Sequence, residues 1–166
     1  MAAPVIGIRA AVHADLPRIL SIYNHEVRVS TATYDTVPRT DAEHRTWFGI
    51  HGADYPVLVA EAGGQVIGWA SLSPWSDRAA YSRSVEVSEY VDEDHRRMGV
   101  GRSLLRALID AGRTRGYHAL LARISADNEA SIRMHAQLGF TVAGTLKEVG
   151  EKFGRVLDVC IMELLI

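Results

Sequence analysis

Apolar positions along the chain switch between two periods, and each switch marks an element. Leu16, Ile19, Leu20, Tyr23 and Val27 recur every three or four positions, the spacing of one helix face, and Asp15 stands where a helix cap belongs. Ile6 to Ala10 reads as a short strand before that helix, and Ser30 to Pro38, rich in Ser, Thr and Asp, as a loop after it. Thr40-Asp41-Ala42-Glu43 has the spacing of a capping box, so a second helix is expected there, carrying Trp47 and Phe48. Val57 to Glu61 and Gln65 to Leu72 are strand-like and joined at Gly63-Gly64 as a hairpin. Ser73 to Ala80 reads as a loop and Ser84 to Val91 as the next strand. The helical period then returns, with Val100, Leu104, Leu105 and Leu108 on one face and Gly112 and Gly116 marking the end. Ala119 to Ile124 reads as a strand and Asn128 to Leu138 as a helix stopped by Gly139. Thr141 to Glu148 and Val156 to Leu165 are two last strands, turned around Phe153-Gly154. The predicted order is β-α-α-β-β-β-α-β-α-β-β, without repeat, low-complexity segment or linker, so one domain over residues 1–166 is expected.

Composition adds mainly exclusions. The 166 residues are 48% hydrophobic and 23% charged, which suits a soluble domain with a substantial core. A net charge of −2 does not mark a general nucleic-acid binder. No apolar run approaches the roughly 20 residues needed to cross a bilayer, and no basic segment followed by a long apolar one opens the chain. No nucleic-acid or membrane partner is therefore expected. Cys160, the only cysteine, permits no internal disulfide, fits a cytoplasmic location and reads as a small core residue. His13, His25, His44, His51, His95 and His118 form no His-x-x-x-His pair and have no cysteine partner, so no metal site is expected.

Candidate chemistry is concentrated at Arg96-Arg97-Met98-Gly99-Val100-Gly101, between a strand and an amphipathic helix. Two glycines two positions apart permit a tight turn and bring N–H groups close to a ligand. The partial positive charge of a helix N-terminus favours anions, and two arginines add to it. A phosphate-bearing ligand, most simply a pyrophosphate, fits. A P-loop would need a Lys after Gly101, and a dinucleotide fingerprint would need a third glycine.

The run resembles the Arg/Gln-x-x-Gly-x-Gly/Ala loop of the GNAT N-acetyltransferases, which in that family holds the pyrophosphate of acetyl-CoA. The element order matches that fold as well. So does Asn128-Glu129-Ala130-Ser131 followed by Leu138-Gly139-Phe140, which resembles the family's fourth helix and its Gly-Phe turn. The resemblance implies an α/β (α+β) GNAT fold, a central mixed and mostly antiparallel sheet flanked by helices, with acetyl-CoA as co-substrate. A further series narrows it: Asn24-x-Glu26, Ser30-Thr31-Ala32-Thr33-Tyr34, Pro74-Trp75, Arg78-x-x-Tyr81, Val85-Glu86-x-Ser88-x-Tyr90-Val91, Met134-His135, Val149-Gly150-x-Lys152 and Asp158-Val159. From about Ile8 to Met162 the chain is similar to the phosphinothricin / methionine sulfoximine N-acetyltransferase subgroup. Those enzymes acetylate the α-amino group of small amino acids with a tetrahedral sulfur or phosphorus side chain, and are typically dimers.

Acetyl transfer to an amine needs the ammonium deprotonated, the carbonyl oxygen stabilised and, in many cases, the thiolate protonated. The resemblance implies Glu86 as the base, worth on the order of 10²–10⁴-fold; the plainer alternative is a surface Glu paired with Arg78 or Arg83. It implies strand N–H groups of Ser88, Glu89, Tyr90 and Val91 along the cofactor and thioester carbonyl. His135 occupies the place of the family's common tyrosine and serves the thiolate, or is itself the base while Glu86 positions the amine. Asn128 and Ser131 join the Arg96–Gly101 loop in holding the cofactor. Substrate contacts are expected from Arg78 and Tyr81, a guanidinium fork and a hydroxyl suited to a carboxylate or phosphinate. Trp75, Val85, Val87 and Lys152 are expected to contact the substrate as well, with Asn24, Glu26, Thr31 and Thr33 on the other side of the pocket. Two rival functions share the fold: acetylation of a protein N-terminus or an aminoglycoside, and a CoA-binding sensor without turnover.

Overall fold

Gly63 and Gly64 both take positive φ, 58° and 78°, where a side chain would be strained. They close the hairpin of β2 (Val57–Ala62) and β3 (Gln65–Pro74). The structure, a computed structural model, describes residues 5–166. β1 (Gly7–Ala10) pairs with β2, and β4 (Ser84–Val91) with β3, both antiparallel. β5 (Ala119–Ser125) runs parallel to β4; β7 (Arg155–Leu165) returns antiparallel to β5, and β6 (Thr141–Lys152) forms the outer edge. The sheet has seven strands in the order β1-β2-β3-β4-β5-β7-β6.

Alternation along the strands sends successive side chains to opposite faces. One face takes α1 (Leu16–Val29) and α2 (Asp41–Ile50), with Ile19, Tyr23 and Val27 packed against Val59 and Trp69. The other takes α3 (Val100–Thr114) and α4 (Glu129–Gln137), with Leu104, Leu105 and Leu108 against Val85, Val87, Leu120 and Ala122. No helix among the described residues is long and apolar enough to cross a membrane.

The element order is the expected one, with local differences that have physical reasons. Thr40 forms the capping box: its hydroxyl accepts the Glu43 N–H at 3.2 Å, and the Glu43 carboxylate accepts the Thr40 N–H at 2.8 Å. Asp15 occupies the cap position of α1, but its carboxylate is taken by Arg9, at 2.7 Å, and by the Val12 N–H. Gly112 does not end α3. It lies inside the helix because a Cβ there would come within 3.2 Å of Leu120 and 3.1 Å of Ile166. β3 runs on to Pro74, and β6 runs on to Lys152 through irregular pairing near Glu148.

Candidate active site

Parallel pairing of β4 with β5 covers only Ser84–Ala119, Val85–Leu120 and Glu86–Leu121. Beyond that point β4 stays paired with β3 as far as Val91, and β5 stays paired with β7 as far as Ser125. Each strand therefore keeps one neighbour and turns an unpaired edge toward the other. Backbone N–H and C=O groups on such edges demand partners, and an extended ligand carrying amides supplies them. A cleft of about 940 Å³ opens at this gap, with Val87, Ser88, Tyr90 and Val91 on its wall.

One end of the cleft is built for an anion. Arg97 (φ 60°) and Gly99 (φ 84°) are both left-handed and turn the chain abruptly into α3. The first backbone bond of the helix runs from the Ser103 N–H to the Gly99 carbonyl at 3.0 Å. The N–H groups of Val100, Gly101 and Arg102 precede it and have no intrahelical acceptor, and no side chain caps them. Arg97, Gly99, Gly101 and Arg102 line the cleft here. A Cβ at Gly101 would lie 3.2 Å from the Met134 sulfur, so glycine lets α4 close against the loop. Asn128 accepts the Ser131 N–H at 3.2 Å as the cap of α4, and both residues face the cleft. Arg102 was not singled out in the sequence. Met98 is exposed and outside the cleft wall. Arg96 reaches the wall, but its guanidinium pairs with the buried Glu26.

At the mouth of the gap, two pairs of ionisable side chains occupy opposite faces of the sheet. Glu86 is the register partner of Leu121, and Arg123 lies two positions further along β5, so both point to the α1/α2 face. Arg123 Nη2 donates to Glu86 Oε2 at 2.8 Å. Burial raises the Glu86 carboxyl above the ordinary carboxylate range, and Arg123 works against that rise. Neither Arg78 nor Arg83 is its partner. On the other face, Glu89 follows Val85 and Val87 toward α4. His135 is buried against Phe140, and its Nδ1 lies 2.9 Å from the Ser131 carbonyl. That contact makes Nδ1 the protonated nitrogen and leaves Nε2 to take or give a proton. Nε2 has no hydrogen-bond partner among the described residues and faces Glu89 Oε2 at 3.7 Å. Burial raises the Glu89 carboxyl too, with His135 and the Ser131 hydroxyl opposing.

The remaining residues singled out in the sequence are divided. Glu26 lines the cleft and accepts the Ser30 hydroxyl at 2.5 Å; Thr31 and Thr33 lie on the same wall. Thr33 shares a 2.9 Å hydrogen bond with Tyr23. Asn24 instead pins the loop before α2, bonding the Arg39 carbonyl at 2.8 Å and its N–H at 2.9 Å. Lys152 is buried behind the wall and donates to the Thr33 carbonyl at 2.8 Å; burial lowers its pKa. Val85 is wholly buried in the core. Arg78 and Tyr81 sit in an exposed single turn over Ala79–Tyr81, away from the cleft wall. Trp75 is also off the wall, but its ring carries the Arg123 guanidinium at 4.9 Å. Arg123 and the Glu89 side chain, like Arg102, are groups that sequence reasoning missed.

Comparison with known proteins places the chain in a family. Residues 19–140 match the model of the acetyltransferase (GNAT) family. An L-methionine sulfoximine/L-methionine sulfone acetyltransferase of Pseudomonas paraeruginosa is 43% identical over 160 residues, covering 95% of this chain and 93% of the relative. A phosphinothricin N-acetyltransferase of Streptomyces coelicolor is 39% identical over 158 residues, covering 93% and 92%. The crystal structure of a GNAT superfamily phosphinothricin acetyltransferase from Sinorhizobium meliloti in complex with acetyl-CoA superposes with a TM-score of 0.94. Its sequence identity is 36%, over 97% of this chain and 88% of that one.

Proposed function

This chain belongs to the acetyltransferase (GNAT) family and is an acetyl-CoA-dependent N-acetyltransferase, and on that premise we propose the α-amino group of a small amino acid as its target. L-Methionine sulfoximine, L-methionine sulfone and phosphinothricin are the leading substrates, in keeping with the activities for which the relatives are named. The observation that carries the reading is the placement of two pairs of ionisable side chains, Glu86/Arg123 and Glu89/His135, on opposite faces of one gap. The amine approaches from the α1/α2 face, and the thiolate leaves on the α4 face.

Bound acetyl-CoA supplies the acetyl group as an activated thioester. The α3 N-terminus, with Arg97 and Arg102, fits its pyrophosphate, and the unpaired edges of β4 and β5 fit its amides. Glu86 takes the proton from the attacking ammonium, a task to which a carboxyl raised by burial is suited near neutral pH. N–H groups on the free edge of β4, at Val87 to Val91, donate to the carbonyl oxygen as it gains charge. His135 delivers a proton from Nε2 on the α4 face, with the Glu89 carboxyl 3.7 Å away. Transfer is direct, within a ternary complex: Cys160, the one thiol, is buried in β7 and pushed up by that burial, unsuited to carry an acetyl group.

The test is free-thiol release from acetyl-CoA with a panel of amines: the three leading substrates, the common amino acids, an aminoglycoside and a short peptide. Fast release with the three leading substrates is the expected result. Release with the peptide or aminoglycoside alone would discard the substrate assignment. Silence across the panel would leave a CoA-binding sensor.

A further inference from the structure

We propose that Arg123 binds the α-carboxylate of the substrate, so that Glu86 and Arg123 together receive the zwitterionic head of an α-amino acid. The proposal rests on the functional reading above and gives Arg123, already the partner of Glu86, a role in substrate specificity.

Position is the first argument. Arg123 is diagonal to Glu86 across the point where β4 and β5 part, on the same face of the sheet and on the cleft wall. Any amine within reach of Glu86 has its α-substituents within reach of Arg123. Geometry is the second. A guanidinium has five N–H donors in a flat fork that matches a carboxylate. Arg123 spends one on Glu86, at 2.8 Å, and the rest meet no acceptor among the described residues. Its plane is held over the Trp75 ring at 4.9 Å, which restricts the fork without consuming a donor. The side chain is 46% exposed, open to a ligand and not sealed in the core.

The third argument is the state of the other cations on the wall. Arg39 is held by Asp35 at 3.2 Å and stacked on Tyr23 at 4.3 Å. Arg96 is held by Glu26. Arg97 and Arg102 stand at the start of α3, at the anion end. Among the described residues, Arg123 is the cation with spare donors beside the proposed base. Charge balance is the fourth. An α-amino acid carries its ammonium and carboxylate on one carbon, and Glu86 and Arg123 present the opposite charges in direct contact. Entry of the zwitterion exchanges one ion pair for two matched ones. A bare amine or an internal peptide group leaves the fork unmatched.

The experiment compares L-methionine sulfone with its decarboxylated counterpart, 3-(methylsulfonyl)propylamine, by thiol release in the full-length protein. Wild type, Arg123→Ala and Arg123→Lys are each assayed with both amines, and the KM for acetyl-CoA serves as the control for an intact fold. In wild type the amino acid is favoured. Arg123→Ala shrinks that preference by roughly 10- to 100-fold, the value of a charge-assisted hydrogen-bond pair. The loss falls on the KM of the amino acid, and Arg123→Lys recovers part of it. If Arg123→Ala lowers kcat/KM for both amines by one common factor, or leaves the preference intact, the carboxylate role is overturned while the acetyltransferase reading stands. If wild type acetylates the bare amine as well as the amino acid, the role is likewise overturned. If wild type acetylates no amino acid at all, the functional reading falls and this proposal falls with it.

Discussion

A carboxyl that must accept a proton near neutral pH has to be kept from ionising too easily, and Glu86 is poised between two influences. Burial raises it and Arg123 pulls it back. Glu86→Gln keeps the shape and removes the basicity, so turnover should fall by roughly 10²-fold or more at neutral pH. The sign of the pH dependence follows from the raised pKa. Wild-type kcat/KM should be low where Glu86 is protonated and rise as it ionises, with the midpoint above the usual carboxylate range. The variant should lack that rise, and an unchanged rate and profile would remove Glu86 from the role of base. Glu86 and His135 were singled out in the sequence because a family resemblance names them, and both line the cleft. Arg123 and Glu89 were less so, though both left a trace. Glu89 breaks the apolar row Val85, Val87, Val91, and Arg123 interrupts the apolar strand Leu120 to Ile124. Alternation shows that such a residue is out of pattern. Which gap it faces depends on the order of strands in the sheet. Arg78 and Tyr81 fail in the opposite sense: their spacing suggested a fork and a hydroxyl, but a short turn carries both into solvent.

Elements were read from period and caps, and the differences lie where tertiary packing overrides a local signal. Gly112 looked like a helix end, yet it is a packing glycine against Leu120 and Ile166. Gly99 is the reverse case, a glycine required by backbone geometry: at φ 84° it has open space around its missing Cβ, so only conformation excludes a side chain. Gly99→Ala should therefore fold, at a cost of about 1–2 kcal/mol of left-handed strain. Relief of that strain swings the N–H groups of Val100, Gly101 and Arg102 out of line with the anion. The KM for acetyl-CoA should rise several-fold, with the KM for the amine little altered. An equal rise in both would mean that the turn supports the whole cleft and not its phosphate end alone.

At the scale of the whole molecule, the outer hairpin does not look finished. Every residue of β6 from Thr141 to Val149 is exposed, so neither face of this edge strand is covered. Val142, Leu146, Val149 and Val156 are 50–61% exposed, an apolar band on an open edge, which invites pairing with another chain. If the chain pairs as the subgroup resemblance implies, this hairpin is the surface on which it would do so. Leu146→Glu together with Val149→Lys should convert a species of twice the chain mass to one of single mass in sedimentation, and a monomeric wild type would refute the assignment. The hairpin is also tied to the substrate wall. Lys152 donates to the Thr33 carbonyl at 2.8 Å, Gly150 lies against the Tyr34 ring, and Arg155 and Thr31 share Asp127, at 2.9 and 3.3 Å. Among the described residues, no hydrogen bond or ion pair ties the anion end at α3 to the hairpin. If the dimer steadies the hairpin, loss of the partner should loosen the wall from Thr31 to Asp35 and leave the phosphate cradle as it was. The monomeric variant should then show a higher KM for the amine and an acetyl-CoA KM close to that of wild type. A monomer with both constants unaltered would make the contact an assembly feature without influence on the site.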